Sequence, residues 1–275
     1  MHAILVNETG GPEVLQPSEV AEPVPGPGQL LVEVAAAGVN FIDTYHRSGA
    51  YPVALPFIPG MEGAGTVTAL GAGVDGVAVG GRVAWATSLG SYAELALVSS
   101  ADAVPVPAGI ALPTAAGSLL QGMTAHYLTV STYPVQLGQT VLVHAAAGGT
   151  GLLLTQLATA RGARVIGTVS TAEKEQLARA AGAVEVIRYA EIDDVAAEVR
   201  RLTGGEGVDA VYDGVGAATF DASLAALRPR GMLALFGAAS GPVPALDPQR
   251  LNSAGSVFLT RPSLAHHTAT RAELT

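Results

Sequence analysis

Cysteine is absent from this 275-residue chain, which excludes disulfides and every zinc site built on thiolates. Charge is scarce as well. Asp, Glu, Lys and Arg make up 13% of the residues, about half the share of an average globular protein. The charge present is lopsided, with 14 Lys+Arg against 23 Asp+Glu and a net charge of −9. Such an acidic balance is the wrong surface for nucleic-acid phosphates, so no nucleic-acid partner is expected. No apolar run reaches the ~18 residues of a membrane helix before Gly, Thr or Pro interrupts it. The stretch after Met1 lacks the charged, apolar and small-residue succession of a secretory signal, and a cytoplasmic protein is expected. Neither G-x-S-x-G nor H-E-x-x-H occurs. With 49% hydrophobic residues the chain has the opposite of a disordered composition. At about 150 residues per domain its length suits two ordinary domains.

What is there changes character near 119–122. Before that point, short β-like runs at 3–6, 30–35, 63–70, 82–85 and 93–98 are punctuated by Gly and Pro, the pattern of a twisted, partly antiparallel β domain. Within 29–34 the residues alternate, with Leu31 and Glu33 facing away from Leu30, Val32 and Val34. After Gly122 the rhythm becomes strand, helix, strand. Six strand candidates lie at 140–145, 164–169, 184–187, 208–213, 231–236 and 256–260, with helices expected at 152–161, 172–181 and 195–202. Gly162 and Gly182 stand where helix C-caps belong. This alternation predicts right-handed βαβ units in a doubly wound parallel sheet. The fold class expected is therefore α/β. Near the end, Thr270-Arg-Ala-Glu273 has the form of a capping box. A helix start five residues before the last residue leads us to expect a truncated chain.

The strongest local signal is Val141-Leu-Val-His-Ala-Ala-Ala-Gly-Gly-Thr-Gly-Leu152, an apolar strand, a glycine-rich turn and an apolar helix. Gly148, Gly149 and Gly151 would let the backbone approach a pyrophosphate resting on the N–H groups of a helix start. Ala146 replaces the first glycine of the full fingerprint, and tight turns also collect glycine for their own sake. The βαβ setting favours a dinucleotide. NAD sites place an acid at the end of the second strand to hold the ribose 2′-OH. Here that strand ends in Ser170 and Thr171, followed by Lys174, the only lysine in the chain. Hydroxyls and a cation suit a 2′-phosphate, so NADPH is the cofactor expected.

Two further features bear on chemistry. Glu62 has no histidine beside it, and the six histidines (His2, His46, His126, His144, His266 and His267) show no ligand spacing. No metal site is expected, and the histidines read as satisfied surface or core residues. The run Asn40-Phe-Ile-Asp-Thr-Tyr-His-Arg-Ser-Gly-Ala-Tyr51 is dense in polar and aromatic side chains. It is either the lining of a pocket for a flat ligand, with Asn40, Asp43, Tyr45 and Tyr51 facing it, or a surface loop with ordinary caps.

Several blocks in order resemble the zinc-independent quinone oxidoreductases of the medium-chain dehydrogenase/reductase superfamily, the group that includes zeta-crystallin. They are Gly10-Gly-Pro-Glu-Val-Leu15, Gly38-Val-Asn-Phe-Ile-Asp-Thr-Tyr45, Arg47-Ser-Gly49, Pro59-Gly-Met-Glu-Gly-Ala-Gly65 and His144–Gly151. Gly167–Lys174, Val208–Gly216 and Thr260-Arg-Pro-Ser-Leu264 continue the series. The resemblance implies a GroES-like catalytic domain over 1–121, a six-stranded Rossmann NADP-binding domain over 122–262, and a returning segment begun at 263–275. It implies metal-free hydride transfer from NADPH to a quinone in a homodimer paired through the edge strand near 256–260. Asn40, Asp43, Thr44, Tyr45, Thr124 and Tyr127 would meet the cofactor, with Asn40, Tyr45 and Tyr51 at the reacting end. Gly148, Gly149, Thr150 and Gly151 would meet the pyrophosphate, and Ser170, Thr171, Lys174 and Tyr189 the 2′-phosphate. Gly214, Phe236, Gly237, Thr260 and Arg261 match further cofactor-lining positions. Relatives carry Ser at Gly214 and run about 50 residues longer. Reduction of an activated C=C bond in an enone or enoyl thioester, or NADPH binding without catalysis, are the alternative functions.

Overall fold

Period-two patterning builds the first part of the chain. In the computed structural model, which describes residues 1–275, β1 (His2–Leu5) and β2 (Gln16–Glu19) form an antiparallel ribbon. In β3 (Gln29–Gly38) Leu30 and Val32 are buried while Glu33 is exposed. Helix α1 (Phe41–Ser48) follows, then β4 (Glu62–Leu70), β5 (Arg82–Trp85), β6 (Leu95–Ser99) and β7 (Val104–Pro105). The strands after β2 pair antiparallel in the order β6-β3-β4-β5-β7. Their buried faces gather Leu30, Val32, Val67, Val83, Ala96 and Val98 around Trp85. The Trp85 indole N–H finds its partner in Ser91 Oγ at 3.0 Å, as a buried indole must. Helices α2 (Leu112–Ala116) and α3 (Leu119–Tyr127) come next, and α3 runs on through a π-helical turn at Leu128–Thr132.

The remaining elements alternate. They are β8 (Thr140–Val143), α4 (Gly149–Ala160), β9 (Arg164–Val169), α5 (Ala172–Ala180), β10 (Glu185–Arg188), α6 (Val195–Leu202) and β11 (Val208–Asp213). Helix α7 (Phe220–Ala226), β12 (Leu227–Leu235), α8 (Gln249–Ser253) and β13 (Phe258–Thr260) complete the series. All six strands pair parallel, in the order β10-β9-β8-β11-β12-β13. A parallel sheet covered on both faces needs apolar residues at successive positions, and the strands supply them. Val141 and Val143 enter one core layer with Val165, Ala210 and Tyr212, while Leu142 enters the other with Ile166 and Val211. Each fully buried Leu or Val of this kind contributes about 1.5–3 kcal/mol.

The contacts divide the chain into Met1–Leu120 with Thr268–Thr275, and Gln121–His267. Helix α9 (Arg271–Leu274) carries the Thr270–Glu273 capping box, and the Arg271 guanidinium donates to the carbonyls of Ala101 and Ala103. No helix is long and apolar enough to cross a membrane.

The α/β expectation, with six parallel strands and a separate antiparallel sheet, holds. Several boundaries differ for identifiable reasons. Helix α4 starts at Gly149, not at 152, because Gly148 is its N-cap and the glycine-rich run forms its first turn. Strand β12 starts at Leu227, four residues ahead of the apolar run that signals it. The polar ribbon strand β2 carries no alternation and was not anticipated.

Gly65 shows how closely β3 and β4 approach. A Cβ there would overlap the Glu33 carbonyl and lie 2.7 Å from Val32 Cγ1. Gly65→Ala is expected to lose about 1–3 kcal/mol, seen as a lower urea midpoint by circular dichroism at unchanged slope. An unchanged midpoint would contradict this packing.

Candidate functional site

In an open parallel sheet, ligands bind beyond the strand C-termini where the strand order reverses. Here that point lies between β8 and β11, and both strands end in unusual turns. After β8 comes His144, then Ala145 at φ +50°, a left-handed conformation costly for a residue with a Cβ. Gly151 explains the tight approach of α4. A Cβ there would overlap the Ala145 carbonyl and lie 2.9 Å from Ala146 Cα, so helix and turn pack backbone to backbone. The first N–H groups of α4 have no partner within the helix and carry its positive dipole end.

After β11, Asp213 is fully buried. Its carboxylate accepts the N–H groups of Val215 (2.8 Å) and Gly216 (3.0 Å) and the hydroxyls of Thr219 (2.8 Å) and Ser223 (2.7 Å). Ser223 Oγ also lies 3.0 Å from His144 Nε2, and His144 Nδ1 lies 2.9 Å from Thr168 Oγ1. Burial holds the His144 imidazole below its ordinary value, with the Asp213 charge opposing.

A cavity of about 570 Å³ opens over these turns, lined by His144, Ala145, Gly148, Thr168, Ser170, Lys174, Tyr189, Val215 and Thr219 among others. Lys174 Nζ donates to Ser170 Oγ at 3.0 Å, and Thr171 caps α5 by accepting the Lys174 N–H. Gly148, Ser170, Lys174 and Tyr189 are thus brought to one cavity, whereas Thr171 and Gly151 serve the helix starts beside it. Gly214, Phe236 and Gly237 sit together at the ends of β11 and β12. A Cβ at Gly214 would lie 2.8 Å from Phe236 Cζ, so a side chain there would press on the Phe236 ring. Thr260 and Arg261 lie apart from that cavity, in a second one of about 330 Å³ with His266 and His267. Tyr127 stacks on His267 at 4.3 Å, and burial pushes its hydroxyl up to about 12, Arg261 opposing. Thr124 is buried on α3.

The polar and aromatic run of the first part is a helix, not a loop. Asn40 caps α1, and its N–H donates to Asp43 Oδ2 at 2.9 Å. The Asn40 amide donates to Glu62 Oε2 at 2.7 Å, and the Leu120 N–H donates to Glu62 Oε1 at 2.7 Å. Asp43 also accepts from the Met61 N–H (3.3 Å) and the Tyr92 hydroxyl (2.9 Å). Glu62 is fully buried, and burial raises its carboxyl above the ordinary range, with the Asn40 and backbone donors opposing. Thr44 turns back to the Phe41 carbonyl at 2.7 Å. Tyr45 stands between Phe41 and Tyr51, ring centroids 5.3 and 5.0 Å away, and both outer rings are partly exposed.

Residues 26–108 match the model of the alcohol dehydrogenase GroES-like domain, and residues 149–268 that of the zinc-binding dehydrogenase domain. A quinone oxidoreductase of Salmonella typhimurium is 47% identical over 268 residues, 97% of this chain and 82% of the relative. The chain belongs to the quinone oxidoreductase family of the medium-chain dehydrogenase/reductases. A 2-haloacrylate reductase of Burkholderia is 43% identical over 283 residues, covering 99% of this chain and 84% of its own. A solved mycobacterial structure complexed with NADPH superposes with a TM-score of 0.96 at 58% identity, over 100% of this chain and 85% of that one.

The zinc in the name of the second domain model finds no donor set, because no three His, Asp or Glu side chains gather where they would hold a metal. A dinucleotide fits better, since the glycine-rich turn leaves backbone open to a pyrophosphate and the cavity at the end of β9 carries Ser170 and Lys174 on its wall, with Asp193 opposite in charge. Sequence reasoning passed over Asp213, Thr168, Ser223 and Tyr92, although a charged residue ending the apolar strand Val208–Asp213 is a usable signal.

The folded protein keeps His144 neutral where an unfolded chain takes up a proton. Its contribution to stability is whole above about pH 6.5 and is lost as the pH falls below that value. His46, also held down by burial, adds to the same slope. His144→Asn should flatten the decline in stability between about pH 6.5 and 5.5 without abolishing it. Parallel curves for the two proteins would contradict the assignment.

Proposed function

We propose that this chain is an NADPH-dependent quinone reductase that works by direct hydride transfer without a metal. The observation that carries the reading is the cavity at the β8/β11 switch point, with Ser170, Lys174 and Tyr189 on its wall and no acid at the end of β9. Lys174, oriented by its contact with Ser170, offers a charge to a 2′-phosphate, and Ser170 a hydroxyl. The backbone of Gly149 and Thr150 at the α4 start is assigned to the pyrophosphate, and Phe236, Gly237, Thr260 and Arg261 to the flanks of the dinucleotide. Bound NADPH would supply a hydride equivalent, and the reduced quinone oxygen can take its proton from water. The chain's own part is therefore orientation and exclusion of water more than acid–base work. Tyr45 and Tyr51 offer aromatic faces to a flat quinone. Asn40, held by Glu62 and backed by Asp43, presents a fixed amide.

The 2-haloacrylate reductase relative favours a second reading, reduction of an activated C=C bond, which uses the same hydride. NADPH consumption with 1,4-benzoquinone, with a simple enone and with NADH in place of NADPH separates these. Fast quinone-dependent loss of NADPH is expected. Turnover of the enone alone would move the assignment to C=C reduction, and no turnover with either would leave only binding. Lys174→Ala should weaken NADPH binding by about 10- to 100-fold, the worth of a charged hydrogen bond, and NADH far less. Equal losses would sink the cofactor assignment.

The family resemblance further suggests a homodimer paired through β13, an edge strand that leaves Phe258 exposed. Unpaired apolar edges invite such pairing. Sedimentation at micromolar concentration is expected to show a dimer, and a monomer would contradict this.

A further inference from the structure

The proposed function leaves unused four side chains on the floor of the NADPH cavity and just behind it, and their protons can be placed by counting. An ionised carboxylate only accepts, a hydroxyl has one proton to give, and a neutral imidazole has one N–H. Ser223 Oγ stands 2.7 Å from Asp213 Oδ2, so its proton goes to the carboxylate. At its other contact, 3.0 Å from His144 Nε2, Ser223 must accept, and Nε2 must carry the imidazole N–H. Nδ1 is then a bare acceptor, and Thr168 Oγ1 at 2.9 Å donates to it. The donors run one way, from Thr168 through His144 and Ser223 to Asp213.

This order holds one segment in place. Thr168 is tied to the β8 turn twice, through its hydroxyl to His144 and through its carbonyl, which accepts the Ala146 N–H at 3.1 Å. Two residues on, just past the end of β9, stands Ser170, partner of Lys174. Thr168, Ser170 and Lys174 all line the cavity, and Asp213 anchors the far end of the chain on the turn between β11 and α7.

We propose that His144 is a positioning residue for 2′-phosphate recognition: kept as the Nε2–H tautomer by Ser223 and Asp213, it accepts from Thr168 and so fixes the end of β9, which leads directly into Ser170 and the first turn of α5 with Lys174. The inference rests on the reading that this cavity binds NADPH. It makes His144 act through Lys174, not through contact with the nicotinamide.

Calorimetric binding of NADPH and of NADH to the whole protein tests it, on His144→Leu, His144→Asn, Lys174→Ala and the double variant His144→Leu/Lys174→Ala. His144→Leu should weaken NADPH about tenfold, the scale of one ordering hydrogen bond, and NADH much less. His144→Asn, whose side-chain oxygen can take the place of Nδ1, should restore most of the affinity. The double variant should bind NADPH no worse than Lys174→Ala alone, because residues acting through one another are not additive. Nitrogen-15 spectra of His144 should show Nδ1 unprotonated. Should His144→Leu fail to fold, Thr168→Val, which keeps the shape and removes the donor, should show the same selective loss.

Equal weakening of both cofactors, additive losses in the double variant, or a protonated Nδ1 would each overturn the proposal while the function stands. Lys174→Ala binding NADPH as the wild type does would overturn the cofactor reading and this inference together.

Discussion

Asp213 is a carboxylate with no exposed surface at the end of a central strand, and the geometry around the switch point follows from satisfying it. A buried acceptor left without donors costs about 1–3 kcal/mol, and a charged one more. Two of its four donors are the backbone N–H groups of Val215 and Gly216, so the chain must turn immediately after β11. Gly216 takes that turn at φ +92°, where a side chain would be strained. The other two donors, Thr219 and Ser223, lie at and within the start of α7, which fixes how that helix leaves the sheet. Through Ser223 the same carboxylate reaches His144 and the end of β8. One ionised group thus sets two of the turns that form the cavity.

The first part of the chain uses the same device around Glu62 and Asp43. Each has its donors in place: an N-cap amide and a backbone N–H for Glu62, and two backbone N–H groups and a phenol for Asp43. A chain with only 13% charged residues nevertheless buries these three carboxylates. In a low-dielectric interior a fully partnered polar network is strong and particular, while a partly partnered one is costly. That asymmetry makes such groups specifiers of geometry more than sources of net stability. It also explains why Asn40 cannot turn freely, since its side chain answers to Glu62 while its backbone answers to Asp43.

Much of the fold was legible because apolar periodicity reports layers directly. Strands β5, β9 and β11 and helix α6 fall where alternation and run length place them. Gly162 and Gly182, both at positive φ, stop α4 and α5 as C-terminal glycines do. Elements whose cause is polar stayed hidden. Helix α1 is begun by an Asn–Asp pairing and carries more polar than apolar residues, so its run reads equally well as a loop. The β2 ribbon has no buried face to alternate. In the site, Ser170 and Lys174 were visible because they replace an expected acid, but the partners of His144 lie 24 and 79 residues away. Spacing rules do not reach that far. Gly214 shows the converse. The sequence offers only a missing serine there, while the structure shows what a side chain would meet, the Phe236 ring 2.8 Å from a Cβ.

The family relatives bear different names, quinone oxidoreductase and 2-haloacrylate reductase, so the acceptor is the open half of the proposed reaction. On the proposed hydride mechanism both reductions would begin alike, so the residues assigned to the dinucleotide carry no information about the acceptor. Discrimination has to come from side chains that meet the acceptor itself. A quinone is a flat ring, whereas a haloacrylate is a small carboxylate that calls for a cation. On the proposed reading the aromatic group of Phe41, Tyr45 and Tyr51 would offer faces and edges to the former. Arg47, on the same helix, is the nearby group suited to the latter, and its Nε atom is buried without a hydrogen-bond partner. On the proposed reading these α1 side chains, and not the turns around the dinucleotide cavity, are where the two acceptors would be told apart.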